Sequence, residues 1–439
     1  MEIALPRRIG RAFFEGGMDL RTVYTGGQVF VNGSLQTADF AVKNGVIEAI
    51  GEVFPFEGDT VVSLSGKYVF PGFADVHVHF REPGFSYKET IETGSKAAAA
   101  GGYTLVGTMP NLNPAPDTME NVNKQLDLIK EKAVIEVIPY GTISMERKGK
   151  ALSDMKAISD FVIGFSDDGS GVDDETVIKE AMKTAKALDK VIAAHSEVLS
   201  LVKGGHAHDG EFAKKNGIKP IVSESEWKMV ERDIEFIKEI GSKHHVCHIS
   251  AKETVDLIRE AKKAGADITS ETAPHYLIMN DSMLKNEGRY KMNPPIRAEE
   301  DRQALVSGIL DGTIDMIATD HAPHAAHEKS GTFPESAMGV TGLECAFSMM
   351  YTHFVLKGIL PIDKLIDLMA FSPRARFGFE KNEIAAGKKA DFTVFDPDIE
   401  WTVKGERQIS LGKFTPFEGW TARGKIVKTV LGDKTVFEI

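Results

Sequence analysis

The chain has 439 residues, 42% hydrophobic and 26% charged, a globular composition that excludes a disordered or fibrous protein. Lys and Arg number 52 against 64 Asp and Glu, a net charge of −12 that gives nucleic acid no overall attraction to it. Cys247 and Cys345 build no disulfide framework, no apolar run approaches the ~20 residues that span a bilayer, and Met1 to Leu20 lacks a signal-peptide core. A soluble, cytoplasmic protein without membrane or nucleic-acid partners is expected.

Residues 1–17 read as an N-terminal extension, because the strand-like pattern begins only after Met18, itself a candidate start. Short β-prone runs then alternate with turn signals: Thr22 to Tyr24, Gln28 to Val31, Asn32-Gly33, Phe40 to Val42, Asn44-Gly45, Val46 to Ile50 and Lys67 to Phe70. The C-terminal stretch repeats this style at Asp391 to Phe395, Trp401 to Val403, Gly424 to Val430 and Lys434 to Phe437. Two β-rich ends predict one small β domain from residues 18–72 and 373–439.

The middle, residues 73–372, alternates strand and helix. Strands are predicted at Phe73 to His79, Thr104 to Thr108, Val134 to Tyr140, Phe161 to Phe165, Val191 to His195, His245 to Ile249, Asp267 to Ser270 and Ile314 to Thr319. Helical patterns lie between them at Lys88 to Ala100, Met119 to Lys130, Asp174 to Leu188, Ser225 to Ile240, Thr254 to Ala264 and Glu300 to Leu310, with Leu343 to Phe354 and Ile362 to Ala370 closing the ring. This order predicts an α/β fold, a (β/α)8 TIM-like barrel. An open doubly wound sheet would gather ligand groups at one switch point, whereas here they are scattered along the chain.

In a barrel, residues at the C-terminal ends of the strands converge on one mouth. The first strand brings His77 and His79, which a period of two points to one side; the fourth runs into Ser166, Asp167, Asp168 and Gly169; the fifth ends at His195, the sixth contains His248 and the eighth ends at Asp320. Imidazoles and carboxylates together suit one or two divalent ions, zinc above all, and a water acidified by them makes a hydrolase. Asp320 is placed to take a proton from that water and return it to a leaving nitrogen. A lone aspartate would read as a helix cap, so the convergence carries the inference.

Other histidines read blandly. His244, His245 and Cys247 are expected to be structural or supporting, with His245 and Cys247 facing away from His248 by alternation; His206, His208, His275, His327 and His353 lie on loops or helices. Arg81 shares the phase of the histidine pair, and its fork suits a substrate carboxylate. Asn111 and Asn293, each beside proline, offer amide hydrogen bonds or plain turn chemistry.

Asp75 to Gly84 (Asp-Val-His-Val-His-Phe-Arg-Glu-Pro-Gly) and Ala318 to His324 (Ala-Thr-Asp-His-Ala-Pro-His) resemble the signature blocks of the longer, first type of bacterial dihydroorotase, within the amidohydrolase superfamily. The resemblance continues through Thr108 to Asn111, Ser166 to Gly169, Ala194 to Glu197, His245 to His248, Lys291 to Pro295 and Thr415 to Trp420. It implies a metal-dependent cyclic amidohydrolase that interconverts dihydroorotate and N-carbamoyl-L-aspartate in de novo pyrimidine synthesis. It further implies His77, His79, Asp168, His195, His248 and Asp320 as zinc ligands, Asp320 also as proton carrier, Arg81, Asn111 and His324 on the substrate carboxylate, and Asn293 near the ring. A homodimer and association with aspartate transcarbamoylase are implied as well.

Many superfamily members bridge their metals with a carbamoylated lysine; Phe161 to Asp168 has none, so an aspartate substitutes. Ala337-Met338-Gly339 stands where relatives often carry Pro-Phe-Gly, and His321 to Gly339 is the candidate lid. Two rival functions remain: a hydantoinase, dihydropyrimidinase or allantoinase, whose substrates lack the carboxylate that Arg81 would meet, and an inactive scaffold, which would have lost metal histidines.

Overall fold

A computed structural model describes residues 21–439; the extension assigned to residues 1–17, and Met18, lie outside the described residues. The chain opens with β1 (Arg21–Val31), β2 (Ser34–Lys43), β3 (Val46–Gly51), β4 (Thr60–Ser63) and β5 (Tyr68–Pro71). Asn32 and Asn44 take φ of 51° and the glycines after them are also positive, the two-residue turn that matches the twist of antiparallel strands. Both Asn-Gly pairs therefore act as hairpin turns, joining β1 to β2 and β2 to β3.

The barrel strands follow: β6 (Phe73–Val78), β7 (Tyr103–Thr108), β8 (Glu136–Pro139) and β9 (Ile192–Ala194). A small pair, β10 (Ala207–His208) and β11 (Pro220–Ile221), decorates the loop that follows. Then come β12 (His244–Val246), β13 (Ile268–Thr272) and β14 (Met316–Ile317). The C-terminal strands β15 (Asp391–Thr402), β16 (Thr421–Leu431) and β17 (Lys434–Glu438) complete the chain.

Strands from the two ends of the chain share one sheet, in the order β17-β16-β15-β5-β1-β2-β3 with β4 beside β1. Gly72 links this sheet to the barrel. A Cβ there would stand 2.2 Å from Asp391 Oδ1 and 2.3 Å from Thr104 Oγ1, so only glycine fits between β5 and β6.

The parallel runs β6-β7-β8 and β9-β12-β13-β14 are two arcs of one ring. At the fourth position the expected strand over Phe161 to Phe165 is not formed. Ser159–Phe161 is a 3-10 turn, and only Phe165 bridges Gly141 on one side and Ile192 on the other. Gly164 explains the short contact, since a Cβ there would lie 2.8 Å from Val191 O and the backbones approach closely. Pairing of Val78 with His321 closes the circle, giving a (β/α)8 barrel. Val76, Met109, Tyr140, Ile163, Ala193, Cys247 and Met316 form one buried cluster drawn from seven positions around the ring, which only the barrel interior can bring together.

The outer helices lie close to expectation, at Ile91–Ala100, Met119–Lys132, Glu175–Ala187, Glu224–Ile240, Lys252–Lys263 and Glu299–Asp311. The first starts later than the Lys88 expected from its pattern. Thr90 is extended and caps it, accepting from Thr93 N while Thr93 Oγ1 accepts from Thr90 N. Among the described residues no helix is long and apolar enough to cross a membrane.

Candidate metal centre and substrate mouth

His77 and His79, at and just past the end of β6, are buried with their rings 5.4 Å apart, as the period of two requires. The loop after Phe165 carries Asp167 and Asp168 in opposite directions. The Asp167 carboxylate turns away to accept from Ile143 N at 2.9 Å, Ser144 N at 3.1 Å and the Ser144 hydroxyl. Asp168 turns in. Its Oδ1 stands 3.5 Å from His77 Nε2 and 3.4 Å from both His195 Nδ1 and His248 Nε2, and its Oδ2 is 3.6 Å from His79 Nε2.

Among the described residues, two groups able to hold a cation meet at this carboxylate: His77, His79 and Asp168, and Asp168, His195 and His248. Asp320 Oδ1 adds a further oxygen 3.1 Å from His79 Nε2 and 3.5 Å from His77 Nε2. His77 Nε2 and Asp168 Oδ1 are buried with no hydrogen-bond partner. Two ligand atoms each about 2.1 Å from a tetrahedral ion lie about 3.4 Å apart, so the 3.4–3.6 Å spacings around Asp168 are those of a donor set that fits divalent metal.

Three residues of the mouth, Arg81, His248 and Asp320, take positive φ of 38°, 34° and 46°. Side-chain-bearing residues avoid this region, and here it re-aims each side chain at a strand end. For His248 the consequence is specific: β12 ends at Val246 and the twist that follows brings His248 to the side already occupied by His245 and Cys247. The expected alternation between them therefore fails. Cys247 lines the barrel interior, where burial pushes its thiol up to about 12.

Glu271 on β13 was not singled out from sequence, yet it underpins the cluster. Its Oε1 lies 2.6 Å from His77 Nδ1 and accepts from His248 N at 3.3 Å, while Oε2 lies 3.1 Å from His245 Nε2. Burial would raise this carboxyl, but His77 and His245 hold it well below the ordinary range. An anionic acceptor on Nδ1 makes that nitrogen the donor, which leaves the Nε2 lone pair of His77 facing Asp168. The available signal was a lone acid in the β-prone run Ile268 to Thr272.

Asn111 makes the matching arrangement for His79, with Oδ1 2.8 Å from its Nδ1 and Nδ2 3.4 Å from Asp168 Oδ2. Asn293 Nδ2 donates to Glu197 Oε1 at 2.8 Å, and Glu197 Oε2 stands 3.5 Å from His195 Nε2, so Asn293 reaches the centre through Glu197. Glu197 too was missed, although it sits two residues beyond His195 and so on the same phase.

Arg81 is only 8% exposed, and its Nε donates to Pro323 O at 3.3 Å. Among the described residues no carboxylate forms an ion pair with it; burial lowers the guanidinium to about 10 against the pull of Asp320 and Asp168. His324 has both nitrogens engaged, Nε2 donating to Met338 O at 2.8 Å and Nδ1 accepting from Lys88 at 3.3 Å. Burial, Arg81 and Lys88 bring it down to about 3, so it is neutral at pH 7. The 337–339 loop thus contributes the Met338 carbonyl as the acceptor for His324. The candidate lid is stitched down in this structure, with buried Lys329 Nζ donating to Lys291 O at 3.0 Å and Ala337 O at 2.7 Å.

A barrel whose mouth gathers four histidines and two aspartates with metal-ligand spacing defines a metal-dependent hydrolase of the amidohydrolase type. Residues 66–254 match the family model described as dihydro-orotase-like. The chain is 46% identical to a dihydroorotase of Enterococcus faecalis over 88% of its own length and 92% of that protein, and 43% identical to one of Bacillus caldolyticus over 93% and 96%. In structure it resembles the L-hydantoinase (dihydropyrimidinase) of Arthrobacter aurescens, with a TM-score of 0.85 at 25% identity over 95% and 96% of the two chains. The chain belongs to the dihydroorotase family, and it is an enzyme that hydrolyses cyclic amides.

Proposed function

We propose that the chain catalyses the reversible hydrolysis of dihydroorotate to N-carbamoyl-L-aspartate in pyrimidine synthesis, with residues 73–372 as the catalytic unit and zinc, one or two ions, as the cofactor. His77, His79, Asp168, His195, His248 and Asp320 would hold the metal. When bound there, zinc acidifies water and polarises the amide carbonyl. The observation that carries the substrate is Arg81, a buried guanidinium beside the histidine–aspartate cluster with no acidic ion-pair partner among the described residues. A ring carboxylate supplies the missing charge, and the fork of Arg81 receives it bidentately. Asn111, which holds the His79 ring, would share that anchor.

Asp320 is the proton carrier. Burial alone would raise its carboxyl, but the neighbouring imidazoles of His79 and His77 leave it below the ordinary value, so its base form is populated at neutral pH. It takes the proton of the attacking water and delivers it to the ring nitrogen as the amide bond breaks; ring closure runs the same transfer backwards. The buried surroundings of both aspartates keep bulk water from competing for that proton.

The test is ring opening by purified, metal-analysed protein, with dihydrouracil and allantoin run beside dihydroorotate. Turnover of dihydroorotate alone is expected. Turnover of the uncharged rings instead would overturn the Arg81 anchor, and a metal-loaded protein inert on all three would favour a scaffold.

A further inference from the structure

The loop after β8 carries a guanidinium that the chemistry above leaves unused. At Met145–Arg147 two successive residues with side chains, Glu146 and Arg147, take φ of 52° and 57°. Such residues adopt this region only where surrounding contacts impose it. Here Glu146 N donates to Asp117 Oδ2 at 2.9 Å and Arg147 N to Ser144 O at 3.0 Å.

The turn lays Arg147 along the backbone of the very aspartate at which the two metal-ligand groups meet. Its Nη2 donates to Asp168 O at 2.7 Å and Ser170 Oγ at 2.9 Å. A Cβ on the intervening Gly169 would stand 3.5 Å from Arg147 Nη2 and 3.6 Å from Asn111 Nδ2, so Arg147 and the proposed carboxylate anchor flank one glycine. Its acceptors are all neutral. Among the described residues no acidic side chain forms an ion pair with Arg147, and its Nε is buried without an acceptor. Two guanidiniums at the mouth, Arg81 and Arg147, therefore have no acidic ion-pair partner among the described residues, although Asp168 lies near enough to act on both.

We infer that Arg147 is a specificity-determining residue that makes the site favour a dianion over a monoanion. The inference rests on the substrate reading above. A cyclic amide with one carboxylate gains a second when its ring opens, so the open form brings one more negative charge to the mouth. Arg81 matches the carboxylate that both forms share, and Arg147 supplies the field that only the open form fully uses. In a half-buried mouth of intermediate polarity, one further unit charge several ångströms away changes binding about tenfold.

The experiment uses succinate, a four-carbon dianion, and succinamate, its monoamide of the same length and a monoanion, as inhibitors of dihydroorotate turnover. Arg147→Gln keeps an N–H donor for the Asp168 carbonyl and removes the charge; Arg147→Lys keeps the charge and loses the fork. Arg147→Gln is expected to weaken succinate about tenfold and succinamate by less than about twofold, with Arg147→Lys recovering most of the succinate loss. A residue that merely clamps the loop would weaken both inhibitors alike, with no rescue by lysine. That result, or unchanged succinate inhibition in Arg147→Gln, overturns the inference. Failure of the wild-type protein to turn over dihydroorotate would instead overturn the substrate reading on which it rests.

Discussion

Glu271→Gln isolates one charge beneath the metal centre. The replacement keeps the existing contacts where it stands: the amide oxygen can accept from His77 Nδ1 and His248 N as Oε1 does, and one amide N–H can donate to His245 Nε2. His245 then changes tautomer and donates from Nδ1 to Thr269 Oγ1, which lies 2.9 Å away. One of the two amide hydrogens is left without an acceptor, a cost of about 1–3 kcal/mol that a chain of this size can bear, and at His77 the loss is the anionic character of the acceptor. A hydrogen bond to a charged acceptor exceeds a neutral one by about 1–1.5 kcal/mol, and that difference falls on the basicity of the imidazole facing Asp168. Metal affinity should therefore drop about tenfold, at the lower end of the 10–100-fold range for such supporting groups. Competition against a chelator of known affinity at pH 7.5 measures it directly. Affinity within about twofold of the wild type would refute the reasoning, because it would mean that the His77 tautomer is held without the charge.

Arg81→Ala should lower kcat/KM for dihydroorotate about a thousandfold while metal content stays whole, as expected when one partner of a buried charge pair is removed; elemental analysis beside steady-state kinetics checks both. Asp320→Ala should cut kcat about a thousandfold in protein reloaded with metal, since proton carriage alone contributes on that order. Asp168→Ala should lose metal, whereas Asp167→Ala should keep it and lose about 2 kcal/mol of stability, read by urea unfolding, because the two N–H groups and the hydroxyl of the 143–144 turn lose their acceptor. Lys329 gives a pH prediction. Burial brings its folded-state value down to about 7, below the unfolded value, so the unfolded chain binds more protons between the two and stability must rise with pH across that window. Lys329→Met removes the titrating amine, and the loss of the donor to Lys291 O and Ala337 O is a pH-independent offset, so its stability relative to the wild type should be highest below pH 7. Relative to the wild type it should lose up to about 1.4 kcal/mol per pH unit above that, measured as the difference between the two unfolding curves.

The chemistry of this protein is written locally. His77 and His79 share a side because a strand has a period of two; His195 and Asp320 sit at strand ends because a barrel presents those ends at one face; and the Asn-Gly pairs turn the first hairpins because those residues tolerate positive φ. Strand and helix alternation was enough to give the barrel, and β-rich ends were enough to suggest that they belong together, since period and turn chemistry are properties of short windows.

What only the tertiary structure decided concerns partners from other elements. Asp167 and Asp168 are adjacent and chemically equal, and it is the Ser144 turn from a neighbouring loop that captures one and leaves the other to the histidines. Glu271 is a single acid in its strand until ring closure sets β13 beside β12 and one strand removed from β6, with β14 between, which turns it into the anchor of His77 and His245. The φ of His248 broke the alternation expected for its strand, and the close backbone approach at Gly164 reduced the fourth strand to single bridges. Periodicity tells a side chain which way to point from its own element. Which atoms wait there is set by how the other elements close around it, and that depends on contacts far apart in the chain.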